Sequence, residues 1–142
     1  MDQNEALLQA VVRGTEMGKN TLAQLLSMTD DPVIKAEFLR EQKEYREINQ
    51  KAHTALAALG SKAHGLKPME RWSTKAGITG ETLCDRSPRR LAQMVIRGSN
   101  MGISDCKGAQ RACPQASDGA KQLAQQLCSL EQRSVENLRP YL

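Results

Sequence analysis

Val11-Val12-Arg13-Gly14-Thr15-Glu16-Met17-Gly18 and Val95-Ile96-Arg97-Gly98-Ser99-Asn100-Met101-Gly102 are one octapeptide written twice, with five identities and the close replacements Val12/Ile96 and Thr15/Ser99. Leu7 and Gln9 extend the match onto Leu91 and Gln93. Around the first copy, Leu8, Val11, Thr15, Gly18, Leu22 and Leu25 recur in steps of three and four, the stripe of an amphipathic helix over about 5–27. Around the second, Leu91, Val95, Ser99, Gly102 and Cys106 do the same. A segment used twice at equivalent places predicts two related helical hairpins. Glycine inside a helix costs about 0.8–1 kcal/mol relative to alanine, so Gly14, Gly18, Gly98 and Gly102 imply helices that approach closely enough to leave no room for a side chain.

The partner helices follow from their start and stop signals. Thr29-Asp30-Asp31-Pro32 reads as a turn with an aspartate N-cap and proline in the first helical turn. Ile34, Phe38, Glu41, Tyr45, Ile48, Ala52 and Leu59 then form the seam of a second helix that Gly60 stops. Ser87-Pro88 repeats the cap-plus-proline signature and opens the third helix, which ends around Cys113-Pro114. A fourth runs over about 117–139 with Ala120, Leu123, Leu127, Leu130, Ser134 and Leu138 inward. Between the hairpins, residues 61–86 are rich in Gly and Lys, yet Met69, Trp72, Ala76 and Leu83 keep a helical beat. This predicts a short irregular crossover helix.

The expected architecture is therefore an all-α, up-down-crossover-up-down four-helix bundle in one domain, 1–142, with hairpin 1 over about 3–60, the crossover over 61–86 and hairpin 2 over about 87–142. With 142 residues, 39% of them apolar, 25% charged and 3% aromatic, the core must be aliphatic. No apolar run approaches the roughly 20 residues of a membrane span, and Met1-Asp2-Gln3-Asn4-Glu5 lacks a basic signal-peptide start, so the expected location is cytoplasmic. The four cysteines, Cys84, Cys106, Cys113 and Cys128, lack the close spacing of a zinc site and read as free thiols.

Two hairpins joined by a long connection resemble the ferritin-like superfamily. Glu44-Tyr45-Arg46-Glu47-Ile48, Asp85-Arg86-Ser87-Pro88, the stretch from Met94 to Ile103, and Glu131-Gln132 look like a group of short, uncharacterised ferritin-like proteins of anaerobic Gram-positive bacteria. The resemblance implies a fold but no activity. The di-iron members carry Glu-x-x-His pairs, and no such pair occurs here. In the place of that motif stands Glu44-x-x-Glu47, so a degenerate carboxylate site for Fe or Mn would use Glu44, Glu47 and Glu131, with Glu16 as a further ligand. Glu131 is the sharpest of these: surrounded by Leu127, Cys128, Leu130, Val135 and Leu138, it must find a partner or a raised pKa.

The competing expectation is a buried polar layer of Thr15, Tyr45, Ser99 and Glu131, satisfied by hydrogen bonds or by Arg13 or Arg97. The net charge of +4 is concentrated over 61–100. There Arg86, Arg89 and Arg90 at a helix start form a candidate anion or partner patch. Without stacking aromatics beside them, nucleic acid is a poor fit. No phosphate loop, nucleophile elbow or catalytic triad can be assembled. The leading functional expectation is a non-enzymatic bundle acting through its surface as a structural or interaction protein, with a homodimer or a protein partner, followed by metal binding and then by a basic-patch adaptor.

Overall fold

The computed structural model describes residues 2–142; within the crossover the side chains of Pro68, Met69, Arg71, Trp72 and Ser73 lie outside the description, and with them the expected inward roles of Met69 and Trp72. The chain is all-α among the described residues. It has five helices, α1 (Gln3–Leu26), α2 (Pro32–Ala58), α3 (Pro68–Glu81), α4 (Pro88–Ala112) and α5 (Asp118–Leu138), followed by a 3-10 turn, Arg139–Tyr141.

Four of the five helices begin at a side-chain cap. Asp2 accepts from the Glu5 N–H, Asp31 from Val33 and Ile34, Ser87 from Arg90 and Ser117 from Ala120, so each satisfies an amide that the helix itself leaves open. Pro32, Pro68 and Pro88 occupy first turns, where no N–H is needed. Past α2, Gly60 takes φ +72°, the left-handed conformation that ends a helix.

Side-chain contacts fix the directions. Gly18 faces Tyr45, and Asn49 donates to Thr15, so α1 and α2 are antiparallel. Gly102 faces Glu131, while the Cys106 thiol donates to the Ala124 carbonyl, so α4 and α5 are antiparallel too. At one end Gln3 and Asn4 accept from the Gln115 and Ser117 amides, and further along Gly14 faces Leu127, making α1 parallel to α5. The four long helices thus run up, down, down, up. The second hairpin has the opposite sense to the expected up-then-down, because α3 carries the chain back along the whole bundle before α4 begins. Gln9 holds the Lys62 carbonyl and His64 amide, Arg13 meets Glu70, and Gln24 donates to the Lys75 carbonyl, so α3 lies parallel to α1.

The core is aliphatic, as the composition requires. Leu7, Val12, Leu25, Ile34, Phe38, Leu56, Leu91, Leu130 and Leu138 have no exposed surface. Three expected core residues are outside it. Leu59 lies past the last turn of α2, leaving Leu56 to fill the seam, and Leu83, beyond the end of α3, is 77% exposed. From the crossover Leu66 and Ile78 are buried instead, whereas Ala76 faces out. No helix among the described residues is long and apolar enough to cross a membrane.

Candidate functional site

Gly14, Gly18, Gly98 and Gly102 all border a single cleft of about 810 Å³ between α1 and α4. Its floor is Leu127 and Glu131 of α5 with Tyr45 of α2; its roof includes Leu66, Thr74 and Ile78 from the crossover. The expectation of close helix approach is met unevenly. A Cβ at Gly18 would stand 2.5 Å from Tyr45 Cζ, one at Gly102 2.6 Å from Glu131 Cδ, and one at Gly14 2.8 Å from Leu127 Cδ2. All three are inside van der Waals contact. Gly98 is the exception, since a Cβ there would meet nothing within 4 Å among the described residues.

The glycines therefore let α2 and α5 drop polar side chains between the backbones of α1 and α4. Tyr45 Oη donates to Glu131 Oε2 at 3.4 Å across the bundle centre. One turn away Ser134 donates to Glu41 Oε1 at 2.5 Å. The two carboxyls are almost wholly buried, and each keeps one oxygen, Glu41 Oε2 and Glu131 Oε1, without a hydrogen-bond partner. Removal from water disfavours the charged form, so burial is the main reason both are pushed up from the ordinary 4.5 to about 8. The neighbouring Glu37 raises Glu41 further and the Ser134 bond acts against that rise, as the Tyr45 bond does at Glu131. Burial thus favours the protonated form of both. Tyr45 is raised well above 10 by burial and by the negative charge of Glu131 and Glu41, so its hydroxyl remains a donor.

The arginines expected to satisfy this layer do something else. Arg13 pairs with Glu70 at 3.2 Å and Arg97 with Glu81 at 2.6 Å, both about half exposed. The repeated arginine thus ties each end of α3 to the bundle, one from α1 and one from α4. Surface pairs of this kind are each worth up to about 1 kcal/mol, so they guide the roof more than they lock it.

The carboxylates named for a metal are not brought together. Glu44 lies at the surface between Arg40 and Arg133, at 3.3 and 3.4 Å. Glu47 is exposed, because two residues on from the buried Tyr45 is about 200° around the helix. Glu16 turns to α2, accepting from Asn49 at 3.2 Å with Lys19 and His53 nearby. Of the set only Glu131 reaches the cleft, and among the described residues no three His, Cys, Asp or Glu side chains converge to hold an ion.

The basic patch is likewise partly spoken for. Arg86 and Arg89 are exposed, but Arg90 sits 3.8 Å from Asp85, and Asp85 accepts from the Ser87 amide while Ser87 caps the helix. The Arg90 and Leu91 amides at the start of α4 already have Ser87 as their acceptor. All four cysteines are free, with Cys84 exposed and the others buried. Burial first, and then Cys128, push the Cys106 thiol up to about 12, leaving it unreactive.

What the sequence reading missed is the cleft and two of its features: Met17, Met94 and Met101 along its sides and Asp105 at its edge. Glu41 was visible in the α2 seam, yet its spacing from Glu37 and Glu44 also fits a solvated charge lattice. No protein family model, curated protein or solved structure matches this chain.

Proposed function

We propose that the chain is a ferritin-like bundle, derived from a duplicated hairpin, that has become a binding protein for a small apolar molecule held between α1 and α4. The duplication is supported by the octapeptide pair, whose second copy stands opposite the first with the same roles: Thr15 and Ser99 buried, Arg13 and Arg97 on the crossover, Gly18 and Gly102 beneath a polar side chain from the partner helix. The ferritin-like assignment is supported by two antiparallel hairpins joined by a connection that runs the length of the bundle.

One observation carries the binding reading: an 810 Å³ cleft, lined mainly by aliphatic and methionine side chains, has at its floor a buried carboxyl oxygen with no partner. Cavities of this size and character are those that take small molecules, with few polar groups to set orientation. A buried acid without a partner is a cost to the fold that a ligand can remove. Methionine, unbranched and polarizable, adapts such walls to a guest.

Nile red, a neutral apolar dye that brightens out of water, tests the reading. It should bind saturably with a stoichiometry near one. Gly98→Phe, whose side chain has room to enter the cleft, should abolish binding with helical content unchanged by circular dichroism. Unsaturable binding, or binding indifferent to Gly98→Phe, would refute it.

A further inference from the structure

Charge along the cleft identifies the chemistry of its guest. Among the described lining residues the ionisable acids are Glu70, Glu81, Asp105 and Glu131, and the bases are Arg13 and Arg97. Arg13 is taken by Glu70 and Arg97 by Glu81. Asp105 and Glu131 are left without a cation, in a chain whose net charge is +4. Glu131 is the deeper of the two and 5% exposed, with Oε2 bonded to Tyr45 and Oε1 buried without a hydrogen-bond partner. Among the described residues no lysine or arginine pairs with it. Resting on the cleft as a binding site, we propose that the ligand is a lipophilic amine, whose ammonium group pairs with Glu131 Oε1 while its apolar body lies between α1 and α4.

The dimensions suit an elongated body. The lining runs from Leu7 to Leu22 on α1 and from Met94 to Ala109 on α4. Fifteen residues of helix rise about 22 Å, so the cleft is a long groove rather than a round pocket. The Tyr45 ring and the sulfurs of Met17, Met94 and Met101 offer polarizable surface, which favours a cation over an anion of the same shape.

Protons must balance on binding. An alkylammonium arrives charged, so Glu131 releases its proton to solvent and the pair remains neutral overall. The groups facing Glu131 are Tyr45 from α2, Asp105 and Cys106 from α4 and Cys128 on its own helix, with Glu41 and Ser99 next to Tyr45; among the described residues the other charged groups of the cleft are the paired Arg13–Glu70 and Arg97–Glu81. None is a cation that could replace the ligand. With a carboxyl near 8, roughly one Glu131 in ten is ionised at pH 7, so amine affinity rises about tenfold from pH 7 towards its plateau above pH 8. A fatty acid has the reverse dependence, since its carboxylate tolerates only the protonated form.

The test is displacement of Nile red by dodecylamine, dodecanol and dodecanoate, each below its aggregation concentration, at pH 6, 7 and 8. The amine should compete best, by at least about tenfold over the alcohol at pH 8, and should strengthen with pH. Calorimetry in two buffers of different ionisation enthalpy should register close to one proton released at pH 7. Glu131→Gln should remove the amine's advantage and its pH dependence while leaving dodecanol within about threefold. Alcohol or dodecanoate matching the amine, or an amine advantage that survives Glu131→Gln, overturns the proposal while Nile red binding lost in Gly98→Phe still upholds the cleft. Should Glu131→Gln fail to fold, Tyr45→Phe decides by the pH dependence alone: a rise of amine affinity with pH supports the proposal, and its absence overturns it.

Discussion

Gly18 and Gly102 hold the same place in the two copies of one octapeptide, yet Gly18 lies beneath an aromatic ring and Gly102 beneath a carboxyl group. The difference lies in the side chain that each glycine admits. In each hairpin the glycine admits a polar side chain from the antiparallel partner, and the two side chains then meet as the Tyr45–Glu131 hydrogen bond. Two tyrosines would have closed the centre with hydroxyls alone, and two glutamates would have set like charges against each other. One of each leaves a single acid, with one oxygen satisfied and one buried without a hydrogen-bond partner.

A second contrast runs along each copy. Gly14 closes against Leu127, whereas its counterpart Gly98 opens onto the cleft. The repeat is therefore tight at one end on α1 and loose at the corresponding end on α4, which is where a guest has access.

The strongest way to break the comparison is Gly18→Ala. Alanine gains about 1 kcal/mol in helix propensity, but its methyl would collide with a ring packed in the core that has no free end to swing away. A net loss of about 2 kcal/mol in urea unfolding is expected. A stabilised Gly18→Ala protein would show that the ring over this glycine moves freely.

The pH dependence of stability probes the acids themselves. Glu41 and Glu131 have folded pKa values raised to about 8 above an ordinary 4.5, so the folded state holds protons that the unfolded chain has lost. The stabilisation from these acids is complete below about pH 4.5 and is lost as pH rises to 8, with a slope of up to about 1.4 kcal/mol per pH unit for each group. Glu131→Gln and Glu41→Gln should each flatten the curve of stability against pH. A curve as steep in the double variant as in the native chain would place the titrating groups elsewhere.

Gly102→Ala should cost less than Gly18→Ala, about 1 kcal/mol, because a carboxyl at the end of a flexible chain can retreat where a ring cannot. Retreat breaks the bond to Tyr45, so this variant should also shift the Glu131 titration, which Gly18→Ala would reach only through the ring. Smallest is Gly98→Ala, which meets nothing and should stabilise the protein by about 0.8 kcal/mol. Equal effects at Gly98 and Gly102 would erase the distinction between the loose and the tight copy.

Much of the frame was legible because its signals are local. The caps Asp31 and Ser87, the prolines after them, Gly60 and the three-four stripes each follow from chemistry within a few residues. The sense of the second hairpin was not, since it depends on whether 61–86 doubles back at one end or travels the bundle's length. Gln9 and Arg13, which settle it, act on residues more than fifty positions away. Of the site, Glu131 was legible as a carboxylate amid leucines. Glu44 and Glu47 misled because they share a helix level with Tyr45 but not its face, and level without face places a ligand outside the core. Arg13 and Arg97 misled for a related reason: they flank the polar layer in sequence, and only the path of α3 explains why they turn to Glu70 and Glu81. The cleft had no sequence signal of its own, being the space left where two glycine faces, a floor and a roof fail to meet.

The most direct measurement is a carboxyl-carbon NMR titration of the ligand-free protein, with Glu131→Gln assigning the resonance. The account predicts a Glu131 midpoint near 8, moving down when dodecylamine is bound. A midpoint near 4.5 would mean that water or a cation already reaches Oε1, and the open acid at the floor of the cleft would not exist.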